Sequence, residues 1–158
     1  MKKLFFVAMV FLISCASPTV FKTDRGMEVS RYFSGPTPQE ITEIENLAVE
    51  HDLCFPWELK GIQVEVFPIN KLFSSNTLEA THGKSRYDEE SGISYITVAG
   101  RYDFSCRVFL HEVAHACIQQ RWRGRVSGHS NNNVWAPRAD GTDDLNSKFL
   151  KEVARICP

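Results

Sequence analysis

Apolar and polar residues recur along this chain with two different periods, and these periods predict where its helices and strands lie. Residues 37–40 have the form of a capping box with proline at the first helical position, and apolar residues follow at helical spacing over 41–48. This pattern predicts a helix that ends near residues 52–56. Residues 61–67 instead alternate with period two, which predicts a strand with one face towards solvent.

The pattern is less regular after this strand. Residues 69–92 are mixed in character and predict a short strand or turn and a long loop. Residues 93–99 are rich in β-branched and aromatic side chains and predict a second strand. A central helix is expected over 104–122, with Asp103 or Ser105 as its N-cap, because its apolar residues form a broad surface at helical spacing.

A last helix is predicted to begin at Thr142 or Asp143, after a loop that extends to about residue 141. The chain has 158 residues, of which 43% are hydrophobic and 23% charged, so it suits one globular domain with one core. The order of elements predicts an α+β fold. In this fold a short sheet packs on the central helix, and N- and C-terminal helices flank it.

The N-terminus predicts export. Lys2 and Lys3 precede an apolar stretch, 4–13, which has the length of a signal-peptide core and is too short to span a bilayer. Residues 12–15, Leu-Ile-Ser-Cys, resemble the bacterial lipobox, whose cysteine is lipidated and becomes the new N-terminus. The resemblance implies that Cys15 anchors an exported protein to the cell envelope, at the outer membrane facing the periplasm if the cell has two membranes. An ordinary signal peptide with an incidental cysteine is the alternative.

These patterns divide the chain into a signal peptide over 1–14, a tether over 15–36 and a folded domain over 37–158. The tether is predicted because it contains prolines and glycines and little apolar periodicity. The formal net charge is −1, and it becomes about −3 when the two lysines of the signal peptide are removed. This charge provides no basic face, so no nucleic-acid partner is expected.

Cys54, Cys106, Cys117 and Cys157 remain when Cys15 is set aside, which is an even number in a chain exported to where disulfides persist. Within one helix, Cys106 and Cys117 would lie about 16 Å apart along the axis, too far for a disulfide. Both remaining pairings join the central helix to Cys54 and Cys157. We favour 106 with 157 and 54 with 117, because an antiparallel last helix would end near the start of the central one. Four buried free thiols are the alternative.

The candidate chemistry lies on the central helix. His111 and His115 are four residues apart, so one helical face presents two imidazoles to the same point, and Glu112 stands beside the first. A catalytic zinc ion takes three protein ligands and keeps one position for water, whose proton a neighbouring glutamate can accept. The two histidines are therefore candidate zinc ligands, and Glu112 is the candidate general base.

His129 is the candidate third ligand, because a helix that breaks near residue 124 can fold back over the intervening residues. The run 111–115, followed by 128–130 (Gly-His-Ser) and Trp135, resembles the SprT-like zinc metallopeptidases, the Spartan group. Residues 80–99 also resemble the strand that precedes the active-site helix in that family.

The resemblance implies a zincin-like domain that binds one zinc ion through His111, His115 and His129 and hydrolyses peptide bonds with Glu112 as general base. The chain departs from the family in two respects. Residues 131–137 predict a loop where family members commonly continue as a helix, and no C-terminal CxxC pair is present for a zinc ribbon.

Rival third ligands lie near the start of the last helix, where residues 141–144 resemble the GTxD element of aspartate-type zincins. These aspartates can equally cap the helix, and His129 is preferred for its ligand type and context. The rivals are Asp140, Asp143 and Asp144.

The sequence therefore predicts a membrane-anchored zinc metallopeptidase with a peptide or protein substrate in the cell envelope. Two alternatives stay open. One is a lipoprotein that binds zinc without turnover, and the other is an envelope scaffold without metal.

Overall fold

The computed structural model describes residues 17–33, 35–73, 80–100, 104–125, 155 and 157. These residues form two α-helices, a five-stranded sheet and a two-stranded ribbon, which together make a small α+β fold, as the sequence predicted. The elements in chain order are β1 (Thr19–Lys22), β2 (Glu28–Arg31), α1 (Pro38–Glu50), a one-turn 3-10 helix (Leu59–Gly61), β3 (Ile62–Phe67), β4 (Leu72–Phe73), β5 (Ala80–Thr81), β6 (Gly83–Asp88), β7 (Ile93–Ala99) and α2 (Cys106–Trp122).

The five-stranded sheet is mixed, with the strand order β1-β2-β3-β7-β6. The central strands β2, β3 and β7 run parallel, and β1 and β6 pair antiparallel with their neighbours at the two edges. The end of the sheet where Arg31, Phe67 and Ala99 complete the parallel strands is called the carboxyl end here. Because β1 is antiparallel, its first residue, Thr19, pairs with Arg31 at this same end.

The helices α1 and α2 pack on one face of the sheet. Alternation along β3 buries Ile62, Val64 and Val66 on the helix side and leaves Gln63 and Glu65 on the other side, so the strand predicted over 61–67 is confirmed. The capping box predicted for α1 is also present, with hydrogen bonds in both directions between residues 37 and 40.

The tether predicted over 15–36 is wrong for residues 19–31, which form β1 and β2. Met27 and Val29 are fully buried in the core, and all four residues of β2 pair with β3. Four-residue strands are too short to show a recognisable alternation, which is why the composition of this segment suggested a loop. In the sequence, three residues separate Cys15 from β1.

The long loop predicted over 69–92 is wrong for residues 83–88, which form the strand β6. It is an edge strand with one face towards solvent, so Lys84 and Arg86 are exposed while Gly83 is buried against α2. Backbone pairing with β7 over its whole length holds it in place. Pairing of this kind does not require apolar side chains, and the polar composition of β6 therefore concealed it.

Two disulfides fasten α2. Cys117 in the helix is bonded to Cys54, and the first helical residue, Cys106, is bonded to Cys157, with Cα–Cα distances of 5.5 and 5.7 Å. These are the pairs that the sequence favoured. Apart from Arg155 and Cys157, the predicted last helix lies outside the described residues.

Glu45 on α1 is fully buried and contacts the turn between β1 and β2. The Thr23 hydroxyl lies 2.6 Å from Glu45 Oε1, and Glu45 Oε2 has no hydrogen-bond partner within the described part of the chain. Burial raises the pKa of Glu45 to about 7, and the hydrogen bond with Thr23 opposes this shift.

We expect Glu45→Gln to change how the free energy of unfolding depends on pH. Between the usual glutamate pKa of 4.5 and about 7, the unfolded wild-type chain ionises Glu45 while the native protein keeps the proton, so wild-type stability falls as pH rises through this window. The amide cannot ionise, so the variant should gain stability relative to the wild type across the same window. Urea unfolding at pH values below and above the window tests this, and parallel profiles would contradict it.

Candidate metal centre

The helix α2 carries the candidate chemistry, and its own sequence fixes both of its ends. At the start, the Ser105 side chain accepts a hydrogen bond from the Val108 N–H at 3.4 Å. At the other end, Arg123 and Gly124 take left-handed conformations, with φ of 50° and 71°, that terminate the helix. Ser105 is thus the cap, and the other predicted cap, Asp103, lies outside the described residues.

His111 and His115 lie one turn apart on α2, and their Nε2 atoms are 3.0 Å apart. Two imidazoles that share one tetrahedral zinc ion, each at about 2.0–2.1 Å, place their nitrogens about 3.3 Å apart. The two nitrogens are within hydrogen-bond distance of each other, and their separation is also close to that of two ligands of one ion. The geometry of this donor pair is compatible with zinc.

Glu112 faces the edge strand β6. Its side chain is 7% exposed and lies against Gly83, where a methyl group would come within 2.7 Å of Glu112 Cγ and 3.0 Å of Oε1. Burial raises the pKa of Glu112 to about 7, and the side-chain hydrogen bond with Ser85 opposes this shift. A dication beside Glu112 would in turn favour its carboxylate form.

Two glutamines that follow the histidines hold α2 against the sheet. The Gln119 amide donates a hydrogen bond to Ser85 Oγ at 3.4 Å, so Ser85 connects Gln119 with Glu112. The Gln120 amide donates to the backbone carbonyls of Gly61 and Gly92, which directly precede β3 and β7, at 2.7 and 3.0 Å. Sequence reasoning missed four residues of this region: Gly83, Ser85, Gln119 and Gln120. The position of β6 over α2 brings the first three together with Glu112, and the starts of β3 and β7 supply the partners of Gln120.

The remaining predicted ligands fall in segments that the structure does not describe. His129, the candidate third zinc ligand, lies outside the described residues, and so do Cys15 and Trp135. The same holds for the rival aspartates, Asp140, Asp143 and Asp144.

A second group of potential metal ligands serves a structural purpose. The sulfurs of Cys54 and Cys117 and a carboxylate oxygen of Glu58 are buried within 4.8 Å of one another. However, the two sulfurs are bonded to each other, and Glu58 forms a two-point ion pair with Arg121, at 2.7 and 3.1 Å. The group therefore fastens the segment before β3 to α2.

In the zinc peptidase that the sequence predicts, Gly83→Ala should impair catalysis without removing the metal. The added methyl group would overlap Glu112 Cγ, so the carboxylate must move, and displacements of about 1 Å can lower rates by up to about a hundredfold. The predicted result is a loss in kcat of about tenfold or more with unchanged zinc content, measured by peptide cleavage and elemental analysis.

Lys84→Ala is the matched control for this variant, because Lys84 is the next residue on β6 and is exposed to solvent. It should leave both kcat and zinc content unchanged. If Gly83→Ala is as active as the control, then β6 does not set the position of Glu112.

No family model matches the chain, and no curated protein or solved structure is significantly similar to it. Among the described residues, no helix combines the length and apolar character needed to cross a membrane.

Proposed function

We propose that this protein is an SprT-like zinc metallopeptidase, anchored to the cell envelope as a lipoprotein. The observation that carries the proposal is the convergence of His111 Nε2 and His115 Nε2, 3.0 Å apart, next to the buried side chain of Glu112. These three side chains together offer two imidazole nitrogens and one carboxylate. A metal-assisted hydrolysis requires both.

The proposed roles follow from the donor set. His111 and His115 hold the ion together with His129, and zinc, when bound, supplies a Lewis acid that polarises the scissile carbonyl and lowers the pKa of a water molecule. Glu112 accepts the proton of this water and passes it to the leaving amine. Gly83 and Ser85 keep the Glu112 carboxylate in place beneath β6.

The position of β6 supports a peptide as the substrate. β6 pairs with β7 on one side, and its other side pairs with no strand among the described residues. An extended peptide can add to such an edge through backbone hydrogen bonds, which brings a peptide bond close to Glu112.

Metal analysis followed by a peptide-library digest tests the proposal. One zinc ion per chain and cleavage of the library are expected, and replacing His111, His115 or His129 by alanine should lower the zinc content. If His129→Ala keeps its zinc and Asp144→Ala loses it, the third ligand is the aspartate. Zinc binding without cleavage would favour the non-catalytic alternative, and absence of zinc would favour the scaffold.

We expect Cys15→Ser to abolish membrane anchoring. The serine has no thiol to accept a diacylglyceryl group, so the protein should accumulate as an unlipidated precursor or appear in the soluble fraction. Metabolic labelling with a fatty acid checks this, with Ser17→Ala as a control that should still be labelled, because it leaves Cys15 and both disulfides intact. If the wild type incorporates no acyl chain, the anchor is absent.

A further inference from the structure

We propose that the domain lies directly against the lipid bilayer, with the carboxyl end of its sheet towards the membrane and an apolar corner formed by Val20, Tyr32, Phe67 and Ile69 in contact with it. The inference rests on the lipid anchor of the proposed function and is independent of the proposed peptidase activity.

The link between the proposed lipid anchor and the first strand is short. Only residues 16–18 lie between Cys15 and the first strand residue, Thr19. A fully extended chain spans at most about 3.6 Å per residue, so the Cα atoms of Cys15 and Thr19 cannot be more than about 14 Å apart. A domain of roughly 140 residues has a radius of gyration of about 14 Å, so this link is shorter than the domain is wide. The surface around Thr19 therefore stays at the headgroup layer.

Thr19 lies at the carboxyl end of the sheet. Thr19 pairs with Arg31 at the carboxyl end, and β3 and β7 reach the same end through Phe67 and Ala99. A lipid on Cys15 would thus hold this end of the sheet towards the membrane. The opposite end, where the segment around Trp57 leads into β3, would point away from it.

Several apolar side chains lie on the surface at this end of the sheet. Val20 pairs with Ser30, and Ser30 pairs with Glu65, so all three lie on the face of the sheet that the helices do not cover. On the same face, the ring of Tyr32 stacks on that of Phe67 at 4.8 Å. Val20 is 56% exposed, and Ile69, just beyond β3, is 40% exposed.

These side chains suit a bilayer surface. Aliphatic side chains gain by leaving water, and tyrosine places an apolar ring and a polar hydroxyl at the boundary between acyl chains and headgroups. The Tyr32 hydroxyl donates a hydrogen bond to a carboxylate oxygen of Glu65 at 3.5 Å, so the polar end of this side chain has a polar partner. The exposed Lys71, which follows β3 at this end, can meet lipid phosphates. The corner thus has the chemistry of an interfacial contact, and the short link holds it at the interface.

One consequence concerns the candidate metal centre. Gly83, which contacts Glu112, pairs with Val98 near the carboxyl end of β7. The centre would therefore work close to the membrane surface.

Photocrosslinking of the full-length chain in native membranes tests this orientation. The photoreactive residue p-benzoylphenylalanine replaces Ile69 in one variant, Val20 in a second and Trp57 in a third. Trp57 is the control, because it is 58% exposed but lies near the opposite end of the sheet. After irradiation, lipid adducts are measured by mass spectrometry of the tryptic peptides.

Lipid adducts are expected at positions 69 and 20 in several-fold excess over position 57. Equal labelling at all three positions, labelling mainly at position 57, or adducts to protein in place of lipid would overturn the proposal. A wild-type chain without an acyl group on Cys15 would overturn it as well. Since no step measures hydrolysis, the outcome is separate from that of the peptidase proposal.

Discussion

Glu112→Gln should lower kcat by at least about a hundredfold while the protein keeps its zinc. The amide has nearly the same size and shape as the carboxylate, so it fits the same space beneath Gly83, but it cannot accept a proton from water. In the proposed site Glu112 contacts the water and not the metal, so zinc content should stay at the wild-type level. Elemental analysis and single-turnover cleavage of a peptide from the library digest provide the two measurements.

Glu45→Gln is a matched control, because it makes the same change at another buried glutamate on a different helix. It should alter stability as described above and leave kcat unchanged. His115→Ala should show the complementary effect, with loss of both zinc and activity. If Glu112→Gln cleaves the peptide at the wild-type rate, the activity belongs to another residue and the assigned role of Glu112 is wrong.

Removing the disulfide between Cys54 and Cys117 should lower the free energy of unfolding by about 4 kcal/mol. The bond closes a loop with a sequence separation of 63 residues, and the entropy that it removes from the unfolded chain is worth roughly this amount at 25 °C. For a domain whose total stability is about 5–15 kcal/mol, this is a large fraction. The double variant Cys54→Ala/Cys117→Ala leaves no odd thiol and is measured by urea unfolding.

The second disulfide provides the comparison. Cys106 and Cys157 are separated by 51 residues, so loop entropy alone predicts a similar loss, about 4 kcal/mol, for Cys106→Ala/Cys157→Ala. The partners of the first disulfide are both buried, and losing them should leave a cavity beside α2, so its removal should have the larger effect. If either double variant unfolds at the wild-type urea concentration, the corresponding bond does not form in the native protein.

The sequence by itself determined the elements whose signals are local. The capping box at residues 37–40, the alternation over 61–67 and the long apolar surface of the central helix each involve residues within a few positions of one another, and each element is present. The spacing of His111 and His115 is equally local, because any α-helix brings residues four apart onto one face. For the cysteines, helix geometry excluded one of the three pairings and left two open, and the expected antiparallel course of the last helix favoured the observed one.

Only the tertiary structure decided which residues surround Glu112 and how the N-terminal segment is used. Gly83 contacts Glu112 because β6 pairs with β7 in one register and lies over α2. Neither the register nor the packing can be recognised from the amino-acid composition of β6. Residues 19–31 are strands because Met27 and Val29 find a core provided by distant parts of the chain. Short strands are stabilised by their neighbours more than by their own propensity, so a single segment does not reveal them.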